Sequence, residues 1–220
     1  PDAGDGYRKA LDEGLHRYYI PGVGTEFSEI GEFEPSSAGL MFACGGENRV
    51  NWGLTRLLDA VRRSCGDPRM EDSEAYELVQ QMGTSMTQDA LGAGLFTDSR
   101  ERRQQALQAP LAKLAKRVDW LHRAKTIPRI VAIRLWVYGF SRGAAEARAF
   151  STWLEQLTQT EVDGEVCYLF AGIPISIGFL GLFDTVAAAG MAYLMPFAAG
   201  HMGWADDSLR LSDSEKFLER

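Results

Sequence analysis

The chain has 220 residues, 45% of them hydrophobic and 10% aromatic, which is enough apolar material for one domain with a sizeable core. Its formal net charge of −7 argues against nucleic-acid binding by the chain as a whole, because phosphate binding usually needs positive charge. The sequence contains no apolar run of membrane-spanning length, and its first residues lack the basic and apolar regions of a secretory signal, so no signal peptide is expected among them. We therefore expect a soluble single domain over residues 1–220, and the abrupt start at Pro1 indicates a piece of a longer protein.

Neither a metal site nor a cofactor site is predicted. The three cysteines, Cys44, Cys65 and Cys167, are spaced too irregularly for a disulfide framework or a CxxC motif, and their odd number leaves at least one thiol free. The pair Gly45-Gly46 is not followed by GK[ST], so a turn leading into a helix is expected there instead of a phosphate-binding loop.

Loops and helices dominate the first half of the predicted fold. A short strand is expected at 16–20, ending at the breaker cluster Pro21-Gly22-Val23-Gly24. After the apolar stretch 39–43 and the turn at 44–46, apolar residues at helical spacing predict an amphipathic helix. The predicted helices cover residues 51–63, 73–82 and 99–124, the last kinked or broken at Pro110.

The second half alternates strands with a helix. Residues 130–138 are nearly continuously apolar, as in a parallel strand that is buried on both faces. Helical spacing follows in Ala144, Ala147, Phe150, Trp153, Leu154 and Leu157. Further strands are expected at 165–170, 173–177 and 179–183. This order predicts the α/β class, with a mostly parallel sheet flanked by helices.

The candidate nucleophile is Ser141. Residues 139–143 fit G-x-S-x-G, with a buried strand expected before the motif and a helix after it. Such a sharp turn presents the serine hydroxyl at the carboxyl end of the sheet, and it requires small neighbours because side chains would clash there. The backbone amide of Arg142, which opens the helix, is the predicted oxyanion donor.

A serine nucleophile needs a histidine base and an acid that orients it. Asp184 is the predicted acid because it follows the 179–183 strand at the edge where ligands bind in open α/β sheets, although a helix N-cap role is the alternative. His201 is the one histidine that follows Asp184, and it is the in-chain candidate for the base; a structural or substrate-facing role is the alternative.

Four segments resemble the catalytic domain of type VI secretion lipase effectors, bacterial toxins of the first Tle family. They are YYIPGVGT (18–25), NRVNWGL (48–54), YGFSRGAAEARAF (138–150) and FLGLFDTVA (179–187), with GHMGWAD (200–206) as a weaker fifth. The family's FDGT-like opening loop is absent from this chain, as is the HE-type motif that holds its base histidine. If the base lies on a segment beyond Arg220, His201 is a spectator.

The resemblance implies an α/β-hydrolase that cleaves fatty-acyl esters of membrane glycerophospholipids, with Ser141 as nucleophile and Asp184 as acid. It also implies export by the type VI system, action in the periplasm of target bacteria, a cognate immunity protein and a secretion-spike adaptor. Two other classes stay open: an esterase for small soluble esters, and a noncatalytic relative that binds a lipid or a protein.

Two further segments have a possible membrane role. Residues 100–129 contain nine basic and two acidic residues, a pattern that suits peripheral contact with anionic lipid or, alternatively, a solvated helix face. The apolar residues of 187–199 are expected either to line an acyl-chain pocket or to form core.

Overall fold

The computed structural model describes residues 10–11, 13–33, 39–83, 99–125, 129–184, 207 and 209–219, with side chains from residue 45 in the first helix and from residue 100 in the third. Two predictions, the 187–199 segment and His201, lie outside these residues. The described helices are α1 (Gly39–Ser64), α2 (Asp72–Met82), α3 (Ser99–Ala124) and α4 (Arg142–Thr158). The described strands are β1 (Ile133–Phe140), β2 (Gln159–Val162), β3 (Glu165–Phe170) and β4 (Ile173–Phe183).

The sheet has the strand order β1-β4-β3-β2 and is mixed. Strands β1 and β4 are parallel, whereas β3 pairs antiparallel with both β4 and β2. The expectation of a mostly parallel sheet is therefore wrong for the described residues. The reason lies in the two-residue turns Asp163-Gly164 and Ala171-Gly172, whose positive φ angles suit tight hairpins, and such hairpins join only antiparallel strands.

Strand β4 joins two segments that were predicted as separate strands. The register with β1 runs from Leu135 opposite Ile177 to Trp136 opposite Phe179, so Gly178 is an extra residue in β4. This is a β-bulge, which bends a strand without ending it. The carboxyl-terminal part of β4 is parallel to β1, as the sequence predicts for 179–183.

Helix α1 begins earlier than predicted and passes through Gly45 and Gly46, so the expected turn at 44–46 is wrong. A Cβ on Gly45 would lie 2.6 Å from Glu32 Oε1 and 2.9 Å from a guanidinium nitrogen of Arg49. This glycine, within helix α1, therefore makes room for the ion pair between the buried Arg49 and the half-buried Glu32, and it does not signal a turn.

The expected strand at 16–20 is also wrong, since these residues are irregular and pair with no strand of the described sheet. Two side chains of this segment bind helix α1 instead. The hydroxyl of Tyr18 donates to Asp59 at 2.9 Å, and His16 Nε2 lies 3.0 Å from Ser64 Oγ.

The remaining helices agree with the sequence. Helix α2 begins one residue before the predicted start, and α3 has the predicted bounds and continues unbroken through Pro110. In α4 the predicted stripe packs inward, with Ala144, Ala147, Trp153 and Leu154 buried. Within the described part of the chain, no helix is long and apolar enough to cross a membrane.

The core is formed by residues of all four described helices together with one face of the sheet. Ile133, Leu135 and Val137 of β1 pack against it, whereas the alternate residues Trp136 and Tyr138 are exposed. The prediction that β1 is buried on both faces is therefore wrong for the described structure, because the described helices cover one face of this strand.

Candidate active site

Ser141 is the single residue between the end of β1 and the start of α4. Its backbone angles, φ 55° and ψ −121°, are those of the first central position of a type II′ turn, which glycine normally occupies. The carbonyl of Ser141 accepts a hydrogen bond from the amide of Ala144 at 3.0 Å. Holding a non-glycine residue in such a conformation costs about 1–3 kcal/mol, which the flanking strand and helix must offset.

The two glycines of the motif differ in their need for a small side chain. A Cβ on Gly139 would overlap the carbonyl oxygen of Gly143 and lie 2.6 Å from Ala144 Cα. A Cβ on Gly143 would meet nothing within 4 Å in the described structure. The clash expected from the sequence is therefore real at Gly139 and absent at Gly143.

Asp184 lies beside the Ser141 turn. Phe140 and Phe183 are partners at the ends of the parallel strands β1 and β4, and the amide of Ser141 donates to the carbonyl of Phe183 at 2.8 Å. Asp184, the next residue, is exposed and has a φ of 48°. The structure thus brings two of the three predicted catalytic residues to neighbouring positions at one edge of the sheet, while their chemical roles stay predictions.

The base is not defined by the described residues, and the role of His201 stays a prediction. His16 is bonded to Ser64, and burial, followed by the nearby Arg63, lowers the pKa of its ring. His122 Nε2 accepts a hydrogen bond from the amide of Ile130 at 3.1 Å. Both of these histidines therefore have structural partners.

A loop that sequence reasoning treated as a simple breaker lies against the start of α4. We call residues 21–25 the 21–25 loop. A Cβ on Gly22 would lie 3.9 Å from the amide nitrogen of Gly143, which is van der Waals contact. Thr25 closes the loop, because its amide and its hydroxyl both donate to the carbonyl of Gly22, at 3.1 and 2.6 Å.

Arg49 of helix α1 holds this loop from one side. Its side chain is fully buried, and it donates to the carbonyls of Pro21 and Thr25 at 2.8 and 2.6 Å. It also donates to Glu32 at 2.6 Å and to the carbonyl of Gly45 at 3.2 Å. The rigid, multi-donor guanidinium suits this task, whereas a lysine ammonium would not reach so many acceptors at fixed angles.

Glu146 of helix α4 holds the loop from the other side. Its carboxylate is buried and accepts the amide of Val23 at 2.8 Å. Burial raises the pKa of Glu146 to about 7, although the Val23 hydrogen bond and the charges of Arg49 and Arg142 act in the opposite direction. The carboxyl therefore titrates near neutral pH.

Sequence reasoning missed the pairing of Arg49 and Glu146 with this loop. The sequence does contain one indication of this pairing. Arg49 lies in segment 48–54 and Glu146 in segment 138–150, and both segments carry the family resemblance. Both contact the third quoted segment, 18–25. Three of the four segments that carry the family resemblance thus meet around one loop.

The described part of the basic stretch 100–129 is less available to a membrane than its charge indicates. Arg103 is buried and stacks over the ring of Trp153, with 3.5 Å from guanidinium carbon to ring centroid. Arg117 binds Asp67 at 3.0 Å, and Arg123 binds Asp119 at 2.9 Å. Membrane contact by the other basic residues stays a prediction.

Among the described side chains, no group of three or more candidate metal ligands is found.

Together these features define a mixed α/β protein with a strained serine at the carboxyl end of a parallel strand pair. No protein-family model and no curated protein matches the chain. Among solved structures it is similar to an uncharacterized protein from Pseudomonas aeruginosa, with 42% sequence identity and a TM-score of 0.77. The similarity covers 94% of this chain and 28% of that one, so the chain spans just over a quarter of the related protein's length.

Proposed function

We propose that the chain is the catalytic part of a serine ester hydrolase of the α/β-hydrolase type, acting on acyl esters of membrane phospholipids. The observation that carries this proposal is the strained Ser141 turn between a parallel strand and a helix, with Asp184 directly after the adjacent strand. Backbone strain of this kind is concentrated at functional sites, where the surrounding structure stabilises it.

The arrangement supports acyl transfer. The Ser141 hydroxyl attacks the ester carbonyl and passes its proton to a histidine that Asp184 orients. The amide of Arg142, at the first position of α4, donates to the oxyanion of the tetrahedral intermediate, with the positive end of the helix dipole behind it. The histidine then gives this proton to the alcohol oxygen as the ester C–O bond breaks, so the alcohol leaves and the acyl group stays on Ser141. Water, activated by the same histidine, hydrolyses the acyl-enzyme to the free acid and restores the serine hydroxyl. The base is His201 or a histidine from outside this chain.

The phospholipid substrate rests on the resemblance to type VI secretion lipase effectors, as do export, the periplasmic target, the immunity protein and the secretion-spike adaptor. The described residues are equally compatible with a smaller acyl ester. The experiment must therefore separate the serine chemistry from the choice of substrate.

The first test is labelling with a fluorophosphonate probe, together with fatty-acid release from mixed phospholipid vesicles and hydrolysis of a short soluble acyl ester. The protein is used as its gene encodes it, with Ser141→Ala and Asp184→Asn variants. Ser151→Ala is the matched control, because Ser151 is a buried serine of the adjoining helix α4 and its hydroxyl has no partner in the described structure.

We expect labelling and hydrolysis in the wild-type protein and the Ser151→Ala variant, and neither in Ser141→Ala. Asp184→Asn should lower kcat by up to about 10⁴-fold, as loss of the orienting acid does in serine proteases. Release from vesicles supports the phospholipid substrate, and activity confined to the soluble ester supports a small-ester hydrolase. An unlabelled, inactive wild-type protein would favour a noncatalytic binding role.

A further inference from the structure

The 21–25 loop is held far more firmly than a surface loop requires. It receives hydrogen bonds from a fully buried arginine, gives one to a buried carboxylate, and closes on itself through Thr25. Surface loops are normally solvated and mobile, because water satisfies their backbone groups at little cost. These hydrogen bonds therefore indicate that the loop has a role beyond connecting two parts of the chain.

Burying the two charged groups is costly. A buried guanidinium or carboxylate loses its hydration, and paired charges often do no better than an apolar replacement. Burial raises the pKa of Glu146, so keeping its carboxylate ionised inside the protein is unfavourable. The buried Arg49 and Glu146 therefore serve to hold the backbone of the 21–25 loop in one conformation.

The position of the loop indicates what that geometry serves. Glu146 lies five residues beyond Ser141, on the helix that starts at Arg142, and a Cβ on Gly22 would lie 3.9 Å from the amide nitrogen of Gly143 in the first turn of that helix. The amides of Gly22 and Gly24 donate no hydrogen bond to another described residue. A loop with two amides that no other described residue accepts thus lies against the helix that follows the candidate nucleophile, and Glu146 fixes the loop to that helix.

We propose that Arg49 and Glu146 are positioning residues that fix the 21–25 loop against the first turn of α4, so that the loop forms one wall of the reaction site at Ser141. The inference rests on the hydrolase function proposed above. Neither side chain is expected to touch the substrate, and both act through the backbone of the loop.

Steady-state hydrolysis of a soluble acyl ester tests this, with kcat and KM measured separately for Glu146→Leu and Glu146→Gln. The leucine variant removes the acceptor for the Val23 amide, and the glutamine variant keeps one. Glu155→Gln is the matched control, because Glu155 is on the same helix and binds Ser212 and Tyr168 instead of the loop.

We expect Glu146→Leu to lower kcat by roughly 10- to 100-fold with KM nearly unchanged, which is less than the roughly 10²- to 10³-fold loss on removing a transition-state donor, because the loop is displaced but still present. Glu146→Gln should restore most of this loss, and Glu155→Gln should match the wild-type protein. A purely structural role would give either unfolding or no effect, without a selective loss of kcat and its rescue.

Thr25→Val keeps the test decisive if Glu146→Leu fails to fold. Thr25 is exposed, so the variant should fold, yet it loses the hydroxyl bond that closes the loop. A severalfold lower kcat supports the proposal. If wild-type protein is labelled at Ser141 while Thr25→Val and any folded Glu146→Leu keep the wild-type kcat, the positioning role is wrong and the hydrolase function stands. Absence of labelling in the wild-type protein contradicts the hydrolase function itself.

Discussion

The backbone at Ser141 makes a thermodynamic prediction that does not depend on the substrate. Its φ of 55° and ψ of −121° are readily adopted by glycine but strained for any residue with a Cβ. We expect Ser141→Gly to raise the free energy of unfolding by about 1 kcal/mol, since relief of roughly 1–3 kcal/mol of strain is partly offset by the greater unfolded-state entropy of glycine. Urea unfolding measures this.

Ser141→Ala is the control for that prediction, because alanine has a Cβ and therefore keeps the strain. Both variants lose the hydroxyl, so both should be inactive, and only the glycine variant should gain stability. Equal stability of the two variants would mean that the strain is no larger than the entropic cost of the glycine, and it would weaken the argument for a functional site at Ser141.

The buried carboxyl of Glu146 predicts a pH dependence of stability. Its pKa is raised from 4.5 to about 7 in the folded protein, so the folded state binds a proton more tightly than the unfolded state. Stability from this group is therefore fully present below about pH 4.5 and is lost as pH rises through about 7, by at most about 3 kcal/mol at 1.36 kcal/mol per pKa unit.

Glu146→Gln removes this titration. We expect the variant to have a free energy of unfolding close to that of the wild-type protein at pH 4.5, and to become the more stable of the two by pH 8. Denaturant unfolding across this pH range, with Glu155→Gln as control, measures the difference. A difference that stays constant with pH would mean that Glu146 titrates normally. Taken with the kinetic test above, Glu146→Gln should therefore have a higher free energy of unfolding than the wild-type protein at pH 8, without a higher kcat.

At the scale of elements, the two glycines at the junction between β1 and α4 differ in how well they should tolerate a side chain. Gly139→Ala would push the new methyl group into the backbone of Gly143 and Ala144, so we expect a loss of roughly 2 kcal/mol or more, as for overpacked cores. Gly143→Ala has open space and a helical position, so its stability should stay equal or rise by a few tenths of a kcal/mol. Thermal unfolding of both variants checks this, and equal losses would contradict it.

The elements that the sequence predicted well are those with a local signal. The apolar stripe of α4 and the bounds of α3 follow from helical spacing, and the G-x-S-x-G motif marks a turn between strand and helix. The placement of Asp184 was also predictable, because a residue that directly follows a parallel strand lies at the carboxyl edge of an α/β sheet, where ligands bind.

The predictions that failed concern elements that depend on contacts distant in sequence. Gly45 was predicted to lie in a turn, but it lies in a helix where the side chains of Glu32 and Arg49 occupy the space that a Cβ would need. The strand at 16–20 failed because its side chains bind α1 instead of pairing in the sheet. The Glu146 contact with Val23 joins residues 123 positions apart, which periodicity and local propensity do not report.

At the scale of the whole molecule, one face of the β1–β4 pair carries an exposed aromatic strip. The register places Trp136 beside Phe179 and Phe140 beside Phe183, all on the face away from the core. Exposed fractions run from 46% at Phe179 to 69% at Phe140, and the rings of Tyr138 and Phe179 are 5.4 Å apart. Soluble proteins rarely leave a contiguous apolar patch of this kind open, because parallel strands are normally covered on both faces.

We therefore expect the 220-residue chain by itself to bind the hydrophobic dye ANS and to self-associate at micromolar concentration. The double variant Trp136→Thr and Phe179→Thr should reduce both effects, since threonine suits a strand and removes the apolar surface. Trp120→Gln is the control, because Trp120 is similarly exposed but lies on α3, away from the strip. Dye fluorescence and analytical ultracentrifugation measure the outcome. A wild-type chain that stays monomeric without binding dye would show that this face is covered within the chain itself.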